Sequence, residues 1–157
     1  MGQTKNIDPK NVINGTFGYM YIDGEEVAEL ISISAQDEIT YEDVDQPGHL
    51  RSGKKMTGVS GTGEFGINKI TNSYNEQWAA KIDAGQQPEV TITTVEADPN
   101  AQESATWQFY NCTIENIPYI NAAAKTLTQD TYTFAFLDRK KLDAISRGGK
   151  TWQKTTL

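Results

Sequence analysis

The chain is read first through its alternation of apolar and polar positions. Thr16 to Ile22 is aromatic and apolar and is followed by Asp23-Gly24. Asp-Gly between two strand-like runs predicts a tight hairpin, because type I′ turns need positive φ at both central residues. The next run, Glu25 to Tyr41, alternates. Val27, Ile31, Ile33, Ala35, Ile39 and Tyr41 fall on one face, interrupted by Glu29 and Asp37, while Ser32, Ser34, Gln36, Glu38 and Thr40 fall on the other. With a side-chain period of two, one face is apolar enough for a core and the other is built for water. Residues 43–58 contain Pro47, Gly48 and Gly53 and read as a long loop. Alternation resumes over Met56 to Ile70, with Val59, Phe65 and Ile67 on one face beside Gly61 and Gly63, and Ser60, Thr62, Glu64 and Asn68 on the other. Strands this long exceed the usual five or six residues and suit a barrel or an extended sheet.

Ser73 to Ala84 reads as a helix over 73–84. Ser73 and Glu76 fit a capping box, Tyr74, Trp78 and Ile82 recur at i, i+4 and i+8, and Gly85 suits the left-handed position after the last turn. Trp78 is expected as a packing anchor. Three further strands are predicted over Glu89–Glu96, Ala105–Ile114 and Thr126–Leu137. Residues 1–15 read as an extended N-terminal arm. Residues 139–157 read as a basic C-terminal tail in which Leu142 and Ile145 form a helical turn. The expectation is one mainly-β domain over 1–157 with one helix laid against it.

Charge sharpens this picture. The 157 residues carry 14 Lys and Arg against 21 Asp and Glu, a net charge of -7, and mean hydropathy is -0.57. An acidic chain is poorly suited to nucleic-acid binding, which needs a basic face against phosphate. From Asp23 to Asp45 there are nine acids and no cation, whereas 139–154 holds Arg139, Lys140, Lys141, Arg147, Lys150 and Lys154 against Asp143. Such segregation suits a protein whose one end meets the opposite end of its neighbour. No window approaches the roughly 18 apolar residues of a membrane span, so no membrane anchoring is expected. The first residues lack an apolar signal core, and synthesis in the cytoplasm without Sec export is the natural reading.

Candidate chemistry is sparse. Gly61-Thr62-Gly63-Glu64-Phe65-Gly66 matches the dinucleotide fingerprint, but strand periodicity continues through it where a helix should open. His49 is the single histidine and Cys112 the single cysteine, so neither a metal site nor an intrachain disulfide is expected. Adjacent strand carboxylates such as Asp37 and Glu38 point to opposite faces and cannot share a cleft. Neither an enzyme nor a cofactor is indicated.

The order of these features resembles a known family. The short apolar strand, Asp23-Gly24-Glu25-Glu26, the long strand, Gly53-Lys54-Lys55-Met56-Thr57-Gly58, Gly61-Thr62-Gly63, Lys69-Ile70-Thr71-Asn72 before a helix, and the closing Tyr132-Thr133-Phe134-Ala135-Phe136 are similar to the tail tube (core tail) proteins of PBSX-like prophages, contractile-tailed phages and phage-tail-like bacteriocins. The resemblance covers about residues 11–138. It implies two packed antiparallel sheets in a small barrel-like β-sandwich with one flanking helix, and a homohexameric ring sharing an inner β-barrel of about 24 strands, wide enough for a channel. It further implies stacked rings located in a virion tail or phage-tail-like particle. A sheath lies outside and tape-measure protein inside, with baseplate and tail-terminator proteins at the ends and DNA in transit. On that reading Ser32, Ser34, Gln36, Glu38, Thr40, Ser60, Thr62, Glu64 and Asn68 are expected to line the lumen. His49, Arg51, Lys54, Lys55 and Met56 are expected to meet an adjacent subunit or ring. Two alternatives stay open: the tube of a bacteriocin or type VI-like injection machine without DNA cargo, and a monomeric β-sandwich binding module using Trp107, Trp152 and Tyr119 as stacking platforms.

Overall fold

A computed structural model describes residues 8–12, 14–100, 105–142, 144–147 and 150–153; over 144–153 it describes backbone pairing alone. In chain order the strands are β1 (Gly18–Ile22), β2 (Glu25–Glu26), β3 (Leu30–Val44) and β4 (Gly53–Asn68), then helix α1 (Ser73–Asp83), β5 (Glu89–Glu96), β6 (Ala105–Ile114), β7 (Gln129–Phe136), β8 (Asp138–Leu142), β9 (Ala144–Arg147) and β10 (Lys150–Gln153). Hydrogen bonding links eight of them into one sheet in the order β2-β1-β5-β6-β7-β4-β3, with β8 also on β6; β9 and β10 form a separate two-stranded sheet. The protein is therefore mainly β, with one antiparallel sheet and one helix. Two packed sheets are expected from the resemblance; here one hydrogen-bonded sheet arises because β5 and β6 run through both compact units of the chain.

The first unit comprises Met1–Ala28, Thr91–Tyr110 and Arg139–Leu157. Asp23 (φ 51°) and Gly24 (φ 87°) make the tight turn that the Asp-Gly pair predicts. The Asp23 amide donates to the Thr91 carbonyl and the Asp23 carboxylate accepts from the Thr91 amide, both at 2.9 Å, so the turn is tied to β5. Met20, Ile22, Ile92, Val95 and Phe109 form the buried interior of this unit. The single run expected over 25–41 is two elements. Val27 donates its amide to Met20 and buries its side chain, which ends β2 before the chain departs into β3. The tail differs as well: Leu142 ends a strand and Ile145 lies in β9, where a helical turn is expected. Of the expected arm, residues 1–7 and 13 lie outside the described residues; Pro9–Asn11 and Gly15–Phe17 are single 3-10 turns started by the side chains of Asp8 and Asn14.

The second unit comprises Glu29–Val90 and Asn111–Asp138. Its interior is aromatic. Phe65 stacks on Tyr132 at 5.0 Å between centroids, and Trp78 of α1 meets Tyr132 edge-on at 5.3 Å. Buried side chains of this size contribute about 1.5–3 kcal/mol each, and aromatic pairs about 0.5–1.5 kcal/mol more. The helix begins one residue earlier than a capping box allows. Asn72 is the N-cap, without a side-chain cap bond, and Ser73 is already helical. Its end follows expectation: Gly85 (φ 74°) donates to Ile82 and Gln86 donates to Lys81, the paired bonds of a Schellman stop. Ile82, expected on the apolar stripe, is exposed; the buried helix positions are Trp78 and Asn75. Asn75 accepts from the Tyr132 hydroxyl and donates to the Pro118 carbonyl at 2.8 Å, so it bolts the helix to both β7 and the 115–128 connection. Burial, reinforced by the charge of Asp130 and partly offset by the Asn75 bond, pushes the Tyr132 hydroxyl up to about 12.

A polar face over four strands

The geometry of interest lies within the second unit. β3 and β4 pair antiparallel with Ser34 opposite Glu64, Gln36 opposite Thr62 and Glu38 opposite Ser60. Residues directly opposite in an antiparallel pair share a face, so the polar sets of the two strands lie together. β4 in turn pairs with β7, Glu64 opposite Thr133 and Thr62 opposite Ala135, and Thr113 of β6 lies opposite Ala135. One polar face therefore crosses β3, β4, β7 and β6. Ser32, Ser34, Gln36, Glu38, Thr40, Ser60, Glu64 and Asn68 are exposed on it and Thr62 is half-buried. None of these residues, nor Thr131, Thr133 and Glu115, is basic. A shallow open recess of about 370 Å³ lies between Ser34, Gln36, Thr62, Glu64, Glu115 and Thr133. Where the β6–β7 ladder stops, Asn116 continues it with its side chain, accepting from the Thr133 amide at 2.6 Å and donating to the Thr131 carbonyl at 2.9 Å.

The β7 members of this face are legible in the sequence. Gln129, Thr131, Thr133 and Ala135 alternate with Asp130, Tyr132, Phe134 and Phe136, and the second set is buried throughout. Period two in that segment marks the polar set as plainly as in β3.

The opposite face divides into a covered and a bare half. Near α1 it carries Phe65, Ile67, Tyr132 and Phe134, all buried. Gly61 and Gly63 of the fingerprint-like motif sit here, and their role is steric; Gly66 lies on the polar face, opposite Ser32 and Thr131. A Cβ at Gly61 would lie 2.4 Å from the Phe136 ring, and one at Gly63 would lie 2.4 Å from the Phe134 ring and 2.7 Å from the Ser34 carbonyl. The two rings occupy the space that side chains would take, so these two glycines make room for packing. Farther along the hairpin, Ile39, Tyr41, Met56 and Val59 are 47%, 50%, 54% and 55% exposed. An apolar face expected to reach a core instead extends past every element of this unit that could cover it.

The expected loop over 43–58 is largely strand. β3 and β4 stay paired out to Val44 and Gly53, which leaves 45–52 as the connection. The ladder absorbs a bulge between the Thr40–Gly58 and Tyr41–Met56 pairs, where Thr57 is extra and its hydroxyl donates to the Thr40 carbonyl at 3.2 Å. This irregularity breaks the alternation on which the strand reading relies. His49 and Arg51 are exposed in the connection, while Lys54, Lys55 and Met56 are exposed on β4. Lys54 is 3.2 Å from Asp43 across the ladder, an exposed pair of small energetic weight. Tyr119 is exposed in the second unit, Trp107 belongs to the first, and the Trp152 side chain lies outside the described residues.

Among the described residues no group of three or more His, Cys, Asp or Glu side chains is placed to hold a metal ion. No helix among them is long and apolar enough to cross a membrane.

Against this geometry the relatives of the chain can be weighed. A family model described as phage tail tube protein matches residues 5–143. The chain belongs to the phage tail tube family. The Phage-like element PBSX protein XkdM of Bacillus subtilis (strain 168) is 29% identical over 92 residues, 59% of this chain and 63% of that protein. The match thus spans less than two thirds of that relative's length. Among solved structures, the fold is similar to a chain of an extracellular contractile injection system sheath–tube complex in the extended state, with TM-score 0.63, 14% identity and coverage of 85% of this chain and 93% of that one. It is also similar to the tube-terminating cap of the anti-feeding prophage, with TM-score 0.64, 15% identity and coverage of 90% and 99%. A chain of a native gene transfer agent virion gives TM-score 0.59, 14% identity and coverage of 83% and 99%.

Proposed function

We propose that six copies of this tail tube subunit close into a ring, each giving β3, β4, β7 and β6 to a common inner barrel, and that the rings stack into a hollow conduit. The polar face then lines the lumen, and α1 lies on the outer side toward a sheath. The observation that carries this reading is the register that brings the polar positions of four strands to one face, with no basic side chain on it over Ser32–Thr40, Ser60–Asn68 and Gln129–Phe136; Lys55 joins it only beyond the bulge, opposite Glu42. A barrel closed between copies also pairs the long outer edge of β3, which otherwise offers unpaired backbone groups to any passing strand. Hydroxyl and carboxylate side chains around a channel repel phosphate, so DNA and tape-measure protein slide through and do not stick.

Electron microscopy of the purified protein tests the assembly: hollow rings or tubes are expected, and a monodisperse monomer at all concentrations overturns it. Glu64→Lys tests the face. Tubes still form if Glu64 points into an open channel, and they retain added duplex DNA; loss of rings with the fold intact means that this face is an interface between copies.

The hairpin tip, with His49, Arg51, Lys54, Lys55 and the apolar stripe through Tyr41 and Met56, meets an adjacent ring. Raising ionic strength then weakens stacking, and tubes indifferent both to salt and to charge reversal at Lys54 and Lys55 count against this contact.

A further inference from the structure

The two ends of β4, both within the second unit, carry complementary features. Before its start the connection 45–52 is an ordered turn. Gly48 is left-handed (φ 84°), the His49 amide donates to the Gln46 carbonyl at 3.2 Å, and the Ser52 hydroxyl donates to the Asp45 carboxylate. The turn holds Leu50 fully exposed, with exposed Arg51 beside it. A leucine presented on a fixed turn without a neighbour forgoes the stabilisation that burial supplies.

Past the other end of β4, the first turns of α1 and the 115–128 connection form a recess of about 210 Å³ lined by Asn72, Asn75, Glu76, Ala79 and Tyr119. Ala79 and Tyr119 give it apolar wall, and Glu76 brings an exposed carboxylate. Ile120, next to Tyr119, and Ile70, just before the helix, are 86% and 73% exposed, so bare apolar surface adjoins both sides. The recess is also fixed in place. Asn75 donates to the Pro118 carbonyl and Lys69 to the Tyr119 carbonyl, both at 2.8 Å. Long connections without secondary structure are uncommon in compact domains, and one already pinned loses little further freedom on binding.

We infer that the hairpin tip of one copy plugs this recess in the copy stacked on it: Leu50 enters between Ala79 and Tyr119, and Arg51 pairs with Glu76. The inference rests on the tube reading and assigns the surface that receives the tip. Within one copy plug and recess are held apart, because β4 has 16 residues and spans roughly 50 Å. Between copies stacked head to tail they face each other, apolar to apolar and cation to acid. A contact between unlike ends of identical subunits leaves a plug at one end and a recess at the other, so it repeats along a tube.

The test compares the full-length protein with Leu50→Ser, Arg51→Glu, Glu76→Arg and the chain carrying both charge changes. These groups are exposed, so the denaturation midpoint of the unassembled subunit should stay close to that of the wild type. Sedimentation reads the critical concentration for tubes, and electron microscopy separates tubes from single rings. A rim ion pair alters each contact by a factor of roughly 1.5 or more, and about six such contacts act together between two rings, so each charge reversal should raise the critical concentration about tenfold. Leu50→Ser should do so at least as strongly, and single rings should persist in all three. Recovery toward the wild type in the chain with both charge changes establishes the Arg51–Glu76 contact, which the length of β4 confines to separate copies. Losses that merely add in that chain overturn it. Critical concentrations equal to the wild type overturn it as well and leave the recess to a different partner. Loss of rings together with tubes overturns the stacking role, because the contact then lies within a ring. A wild type that forms neither rings nor tubes overturns the tube reading itself.

Discussion

The sharpest test of the packing is Gly63→Ala. The added methyl would lie 2.4 Å from the Phe134 ring and 2.7 Å from the Ser34 carbonyl. Phe134 is fully enclosed, so its ring has no open side toward which to turn. The carbonyl belongs to the β3–β4 ladder and moves only if the pairing moves with it. Overpacking of this kind costs about 1–3 kcal/mol, and restricting the unfolded chain by replacing glycine returns about 0.4–1 kcal/mol. With two hard contacts the upper part of the range applies, for a net loss of about 2 kcal/mol. In a chain of this size that lowers Tm by roughly 4–8 °C. The internal control is Gly58→Ala on the same strand, where the nearest atom, the Thr40 Cβ, is 4.0 Å away. That change should be neutral or slightly stabilising. Equilibrium denaturation of both variants, with the midpoint shift converted at constant slope, reads the difference. If Gly63→Ala falls within about 0.5 kcal/mol of Gly58→Ala, the steric account of the motif is wrong and its glycines serve something else. Pairing Gly63→Ala with Phe134→Ala supplies a second check. The double variant should lose less than the sum of the two single losses, because the clash with the ring disappears and only that with the Ser34 carbonyl remains.

Other outcomes follow from the aromatic interior and its polar bolts. Asn75→Ala leaves the Tyr132 hydroxyl and the Pro118 carbonyl without their partner, and chemical denaturation should show a loss of about 1–3 kcal/mol. Lys69 is 3.5 Å from Asp130, which is almost wholly buried, and also donates to the Tyr119 carbonyl. Lys69→Met should cost about 3–5 kcal/mol, and adding Asp130→Leu should restore a good part of it, because the penalty lies in the stranded charge. The Tyr132 hydroxyl, held near 12 when folded against about 10 unfolded, keeps its proton after the unfolded chain has lost one. Its contribution is therefore full below pH 10 and is lost as pH rises through 12. Denaturation midpoints between those values should fall more steeply for wild type than for Tyr132→Phe, and parallel curves would refute the assignment.

Legibility in the sequence follows the physics of each element. The Asp23-Gly24 turn, the Gly85 stop and the two faces of β3 and β4 were readable, because each is fixed by local backbone preference or by simple alternation. The 43–58 segment reads as a loop because Pro47, Gly48 and Gly53 signal a turn but not its length. Six of the residues assigned to the loop, Gly53 to Gly58, are held in a strand by pairing with β3 and by one bulge. The capping box failed for a related reason. Asn72 and Ser73 are both able caps, and tertiary placement of Trp78 and Asn75 on β7 sets the phase of the helix. The fingerprint-like glycines carried no local mark of their purpose. Their partners, Phe134 and Phe136, are some seventy residues away, and only register brings them together.

The exposed stripe bears on what this structure is for. A core residue that is left bare costs the free energy that burial would have contributed, and Ile39, Tyr41, Met56 and Val59 are each about half exposed at the end of two strands of 15 and 16 residues. Residues near α1 show that the same face can be covered well, so the bare half does not reflect a poor sequence. It reflects strands that continue about 20–25 Å beyond the helix-covered core at 3.3 Å per residue. A two-stranded ribbon with one apolar face has little reason to persist alone in water. Its register is nevertheless specified through Val44 and Gly53, with a cross-strand ion pair at Lys54 and Asp43 near the end. Specification without internal cover is the signature of a surface completed by another molecule. In a family whose members are tube subunits, the economical completion is another copy, and the stability of the isolated subunit is then a poor guide to that of the tube.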